Sequence, residues 1–219
     1  MRSRSWYTPP RIFLASLLRL LTGVRCLCRC PPGGRQSIYY ANHTSHLDAL
    51  VIWACLPDAI RRRTRPVAAG DYWSGGLRGF FANNIFDTVL VDRGGRFDKG
   101  RLAQALAPVH AALDQGDSLI LFPEGTRSMQ DDGHLLPFKS GLFRLARAYP
   151  DVALVPVWLE NLNRMLPKGG GAWLPVPLLC SLIMGEPLHA VQADEDRRVF
   201  LARAEAALLA LAPPHPDER

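Results

Sequence analysis

Apolar residues fall along this chain in short compact runs, separated by longer stretches in which they return every three or four positions. The runs Ser37 to Ala41, Pro66 to Ala69, Ile85 to Val91, Ser118 to Phe122 and Val152 to Trp158 have the length and apolar content of buried strands. Between them Leu102, Leu106, Val109 and Leu113 share one helical face, and Asp194, Glu195 and Asp196 open a C-terminal helix that Pro213 and Pro214 stop. Gly75-Gly76, Gly94-Gly95 and Gly169-Gly170-Gly171 mark loops. Strands alternating with helices predict an α/β fold: one layered domain with a central, mostly parallel sheet flanked by helices, preceded by a short amphipathic N-terminal helix. The 219 residues suit a single domain. It divides into an N-terminal basic segment over 1–34, the domain proper over 35–212 and a flexible tail over 213–219.

The N-terminal segment admits two readings. Ile12, Phe13, Leu14, Leu17, Leu18, Leu20 and Leu21 are flanked or interrupted by Arg2, Arg4, Arg11, Arg19, Arg25 and Arg29, with Trp6 and Tyr7 just ahead. Such a helix can lie in the headgroup layer of an anionic bilayer, or pack its apolar face on the core and leave its arginines in water. The stretch from Ile12 to Val24 is short of a membrane span, carries Arg19 in its middle and lacks a small-residue cleavage site, so neither a transmembrane helix nor a signal peptide is expected. The excess of 26 Lys and Arg over 20 Asp and Glu points to an anionic partner. No recognition motif and no basic run with interleaved aromatics singles out nucleic acid, and none is expected as a partner. Three of the five cysteines crowd into Cys26-Leu27-Cys28-Arg29-Cys30, which matches neither a disulfide framework nor the two-residue gaps of common zinc sites. That usage points to a reducing, cytoplasmic setting.

Candidate chemistry sits in two polar islands, each directly after a predicted strand: His43-Thr44-Ser45-His46-Leu47-Asp48, and Phe122-Pro123-Glu124-Gly125-Thr126-Arg127-Ser128. In open α/β sheets ligands bind beyond the carboxyl ends of the strands. Arg93 follows Val89-Leu90-Val91 in the same manner, so polar groups from three strand ends are expected on one rim.

His43 and Asp48 are five positions apart, which on a continuous helix turns them roughly 140° away from each other. They meet only if His43 lies in the turn before a helix and Asp48 in its first turn; Ser45 as N-cap, with Asp48 third in the helix, gives that geometry. Ser45-x-x-Asp48 alone is equally a capping box that only holds a helix end. Beside a histidine the carboxylate gains a second use, because it fixes the imidazole tautomer and makes the other nitrogen a general base. A metal site is not expected: His46 at the start of the helix would point away from His43, and no further ligand cluster lies near in sequence. Ser45 sits in no Gly-x-Ser-x-Gly elbow, which argues against a serine nucleophile.

The second island suits an anion. Gly125 permits a tight turn with exposed N–H groups, Thr126 and Ser128 add hydroxyls, and Arg127 offers the planar fork that fits phosphate. Glu124 would repel a phosphate and is expected to brace the loop or Arg127 from below. The bland alternative is an ordinary glycine turn with a solvated arginine.

Taken together, Asn42 to Asp48 resembles the His-x4-Asp block of the glycerolipid acyltransferases, the lysophosphatidic acid acyltransferase family, and Phe122 to Ser128 resembles its Phe-Pro-Glu-Gly-Thr-Arg-Ser block. Val91-Asp92-Arg93 is similar to the arginine block between them and Val155-Pro156-Val157 to the later proline block. After Pro66-Val67-Ala68, where many relatives carry a lysine, this chain has Ala69.

The resemblance implies transfer of a fatty acyl group from an acyl-CoA or acyl carrier protein thioester to a glycerolipid hydroxyl, with no further cofactor. It makes His43 the base and Asp48 its partner. Arg93, Glu124, Gly125, Thr126 and Arg127 become the acceptor and phosphate site, and Val155 to Val157 the support of an acyl or acceptor channel. A lysophospholipid acceptor is implied, 1-acyl-glycerol-3-phosphate by default and lyso-ornithine lipid as an alternative, as is a peripheral place on an anionic membrane, at the cytoplasmic face of the inner membrane. Amides near Gly125 or the side chain of Lys139 are candidate oxyanion donors, a surface role being the alternative for Lys139. A non-catalytic lipid-surface protein on the same fold is the rival reading.

Overall fold

The computed structural model describes residues 8–29, 33–70, 85–92, 99–128, 135–162 and 180–213. The described elements run α1 (Thr8–Thr22), β1 (Arg25–Cys28), β2 (Ser37–Ala41), α2 (Asp48–Cys55), α3 (Asp58–Arg61), β3 (Thr64–Ala69), β4 (Val89–Val91), α4 (Lys99–Asp114), β5 (Ser118–Leu121), α5 (Gly141–Ala148), β6 (Ala153–Glu160), β7 (Ser181–Met184) and α6 (Arg197–Leu209). The strands form one sheet in the order β1-β7-β6-β2-β5-β3-β4. Every adjacent pair is parallel except β6 with β7.

At the centre, all five residues of β2 are buried, as expected of a strand covered on both faces. Side chains alternate between two cores. Tyr39, Ala41 and Ile120 meet α1 and α2 on one face, while Ile38, Tyr40, Leu119 and Leu121 meet α4, α5 and α6 on the other. The apolar sequence of α2 wraps almost its whole circumference, and Val51, Ile52, Trp53 and Ala54 are buried accordingly between the sheet and α1. Trp53 meets Phe86 edge-on at 5.0 Å and carries the Arg61 guanidinium 5.4 Å from its ring centre. Tyr40 ties the opposite layer down by donating to the Ala204 carbonyl at 3.1 Å.

The N-terminal segment joins this framework. Ala15 and Leu18 of α1 pack into the α2 core, and β1 forms an edge of the sheet beside β7. The opposite side of α1 leaves Phe13 69% and Leu20 76% exposed. No described helix is long and apolar enough to cross a membrane.

Three strand expectations change. The run Ile85 to Val91 becomes a strand only over Val89–Val91, because Asp87 adopts a φ of 53° and interrupts the extended path. Ile85 and Phe86 are buried through core packing instead. The strands β1 and β7 were not expected: each has four residues, β1 is exposed along its whole length, and β7 alternates in burial but not in residue type, since Leu182, Ile183 and Met184 are all apolar.

Helix α4 ends in a Schellman turn, with Asp117 N donating to Ala112 O at 3.0 Å and Gly116 N to Leu113 O at 2.8 Å. Gly116 sits there at φ 77°. Gly116→Ala should therefore cost about 1–2 kcal/mol in urea unfolding while leaving the far-ultraviolet spectrum intact. An unchanged midpoint would remove this account of the turn.

Candidate active site

The two islands leave neighbouring strands. β2 and β5 run parallel with Tyr40 opposite Leu121, so both loops emerge on the same carboxyl-end rim. Asn42, the first residue past β2, is 5% exposed and lends its side chain to the ladder. Its Nδ2 donates to Leu159 O and its Oδ1 accepts from Leu159 N, each at 2.8 Å. The next residue, His43, is held by the second island: Ser128 N donates to His43 O at 2.8 Å, and His43 N donates to Glu124 Oε1 at 2.9 Å. Its ring stacks on Phe122, centroids 4.0 Å apart.

Asp48 completes this arrangement from below. Its Oδ2 accepts from Thr44 N at 2.7 Å, Ser45 N at 2.8 Å and His43 Nδ1 at 2.9 Å, and the residue is fully buried. The capping and imidazole-orienting readings are thus both realised, by one oxygen atom. The expected helix start is corrected. Helix α2 begins at Asp48, not just after Ser45, because the carboxylate folds back on those two amides and closes a turn over residues 46 and 47. Ser45 Oγ accepts only from Leu47 N at 3.3 Å. With the helix starting later, His46 does not point away and lines the same cleft as His43. The described residues contain no group of His, Cys, Asp and Glu able to hold a metal ion.

That cleft has a volume of about 710 Å³ and opens between the ends of β2, β3, β4 and β5. His43, Gly125, Thr126 and Arg127 line its polar end, and Val67, Leu106, Val109, Leu142 and Leu145 belong to its apolar wall. Glu124 is not among the lining groups. It is 2% exposed, and its two oxygens are taken by His43 N and, at 3.0 Å, Leu136 N. Burial raises its carboxyl above the usual range, while the two amides pull it back. Val155 to Val157 lie buried in β6 and are not among the residues that line the cleft. Arg93 lies outside the described residues.

Sequence reasoning named His43, Asp48, Gly125, Thr126 and Arg127 but missed the stacking of Phe122, the ladder bond of Asn42 and the tie from Ser128. All three depend on partners distant in sequence, and a polar residue directly at a strand end was the one signal for Asn42. An imidazole gripped by a carboxylate at one nitrogen presents a basic second nitrogen, here at the mouth of a cleft that also holds a guanidinium.

Residues 27–160 match the Acyltransferase family. The chain belongs to that family. Over 99 residues it is 35% identical to the chloroplastic 1-acyl-sn-glycerol-3-phosphate acyltransferase LPAT1 of Arabidopsis thaliana, covering 45% of this chain and 27% of the relative. It is 31% identical over 151 residues to a 1-acyl-sn-glycerol-3-phosphate acyltransferase of Limnanthes alba, covering 66% and 48%. The chain therefore spans about half the length, or less, of these curated relatives. In fold it is similar to the 1-acyl-sn-glycerophosphate acyltransferase PlsC of Thermotoga maritima, with a TM-score of 0.71 at 20% identity over 96% of this chain and 82% of that one.

The bracing geometry of Glu124 has a measurable consequence in this member of the Acyltransferase family. Glutamine at 124 presents an amide N–H₂ to one of two backbone donors. Glu124→Gln should lower stability by about 1–3 kcal/mol in chemical unfolding. Unaltered stability with weakened phosphate binding would instead make the carboxylate part of the ligand site.

Proposed function

We propose that this chain transfers a fatty acyl group from an acyl-CoA or acyl carrier protein thioester to the hydroxyl of a lysophospholipid, 1-acyl-glycerol-3-phosphate first among them. The observation that carries this reading is the 2.9 Å contact of His43 Nδ1 with Asp48, on a ring that opens on the same cleft as Arg127. With Nδ1–H donating to the carboxylate, Nε2 keeps its lone pair. Nε2 takes the acceptor's proton as the hydroxyl oxygen attacks the thioester carbon. The C–S bond then breaks, and the departing thiolate takes the proton back from the imidazolium. A thioester is already activated, so no covalent enzyme intermediate is needed.

Asp48 orients the ring and offsets the imidazolium charge. Thr126 and Arg127, with Arg93 by family resemblance, receive the phosphate, while Glu124 and Gly125 shape the turn that presents them. The apolar wall from Val67 to Leu145 suits an alkyl chain. The family match and the names of the relatives support the reaction class.

His43→Ala should lower thiol release from palmitoyl-CoA, assayed with a panel of lysolipids, by a factor of at least about a thousand. Equal rates in the two proteins would discard the base. Thiol release with lyso-ornithine lipid alone would move the acceptor, and lipid binding with no thiol release from the wild type would favour the non-catalytic reading.

An anionic membrane surface is the place of action this reading requires, at the cytoplasmic face of the inner membrane. The outward side of α1 supports it: Ile12, Phe13, Leu20 and Leu21 are exposed beside Arg19, and Leu27 lies exposed between Arg25 and Arg29 on β1. Phe13→Glu with Leu20→Glu should abolish sedimentation with phosphatidylglycerol vesicles without lowering the melting temperature. Undiminished binding would remove α1 from the contact.

A further inference from the structure

Two cations of the cleft carry no counter-ion. Arg127 and Lys139 both line it, and among the described residues neither side chain makes an ion pair. Arg127 Nη1 is buried with no hydrogen-bond partner. Asp92 lines the same cleft and pairs with neither.

Lys139 reaches this wall across Gly125. Its N–H donates to Pro123 O at 2.8 Å, which pins the residue beside the turn. From there the side chain lies over the bare Cα of Gly125: a Cβ on that residue would stand 2.8 Å from Cδ, 2.9 Å from Cε and 2.6 Å from Nζ. Gly125 also has a φ of 70°, which the turn itself requires. Glycine at 125 therefore serves two ends, and the second was not visible in the sequence: it leaves a bed for the lysine stem. The ammonium is carried to the glycine turn that, two residues on, presents Arg127.

Like charges gathered on one turn repel, and burial around Arg127 reduces the screening of that repulsion. A dianionic group between them removes it. A phosphomonoester has the matching chemistry, taking the planar fork of an arginine on one edge and the compact point charge of a lysine on another. We propose that Lys139 and Arg127 form a two-point clamp for a phosphomonoester of a bound ligand, with Gly125 kept bare to seat the lysine. The proposal rests on the acyl-transfer reading, which brings two such groups to the protein: the headgroup of a glycerol-phosphate acceptor and the 3′-phosphate of coenzyme A.

Thiol release by the wild type, Lys139→Met and Lys139→Arg, measured with 1-acyl-glycerol-3-phosphate or monoacylglycerol as acceptor and palmitoyl-CoA or its dephospho form as donor, tests the clamp and identifies the source. Lys139→Met should raise the KM of the phosphorylated partner about tenfold or more with little change in kcat, and Lys139→Arg should recover most of it. A penalty that vanishes with monoacylglycerol assigns the clamp to the acceptor; one that vanishes with dephospho-CoA assigns it to the donor. Equal KM values for every substrate form in wild type and Lys139→Met would overturn the clamp. Titration with inorganic phosphate decides it independently of turnover: phosphate should raise the melting temperature of the wild type and not that of Lys139→Met, and equal shifts would sink it. A wild type that releases no thiol on any pair, yet shows the phosphate effect, fails the acyl-transfer reading and leaves the clamp standing.

Discussion

One oxygen atom, Oδ2 of Asp48, accepts the amides of Thr44 and Ser45 and the Nδ1 of His43, and the geometry of the site depends on it. The two amides bend the chain between β2 and α2 into a closed turn, and the same atom then meets the imidazole that the turn has brought round. Local backbone structure and candidate chemistry are thereby one construction. A carboxylate that accepts several N–H donors is a strong hub, because each bond is charge-assisted and the group is out of competition with water.

That hub is rigid because it is clamped from the neighbouring strand. Glu124 of the second island grips the His43 amide, Ser128 grips its carbonyl, and Phe122 lies under its ring. The distances in sequence are large, 81 positions from His43 to Glu124. The parallel pairing of β2 with β5 makes them short in space, since equivalent ends of parallel strands face the same side of the sheet. Glu124 is costly to bury, and its place is understandable only as a bridge between two backbone segments that would otherwise leave N–H groups unpaired.

Much of this was legible in the residue order. β2, β5 and β6 announce themselves as apolar runs because they are covered on both faces, and α4 by its repeating apolar face; a chain in the middle of a layered fold has to be patterned that way. β1 left no such trace, because an exposed edge strand is held by its ladder to β7 and not by its side chains. The α1 segment was legible as two alternatives; Ala15 and Leu18 pack inward, as the core-packing one expects, while Ile12, Phe13 and Leu20 face out. Within the site, His43, Asp48 and the glycine turn could be named from spacing. The start of α2, the direction of His46 and the seat of Lys139 could not, since each follows from where a backbone amide or a bare Cα lies in space.

The buried carboxylate beneath the ring is placed to answer a charge that forms on the imidazole during the reaction. Asp48 is fully buried, and its Oδ1 has no hydrogen-bond partner. A buried carboxylate is compensated best by a full positive charge close by, and the ring at 2.9 Å supplies one only when it holds a second proton. On the proposed reaction that state arises as the acceptor hydroxyl gives up its hydrogen. On the clamp reading the guanidinium of Arg127 and the ammonium of Lys139 hold a phosphomonoester and are not turned to the reacting oxygens. That leaves the buried carboxylate, 2.9 Å from the ring, to stabilise the positive charge that forms on the imidazole in the transition state. That charge forms on the proposed reaction only as the hydroxyl proton is taken, so the stabilisation is realised where it accelerates the reaction.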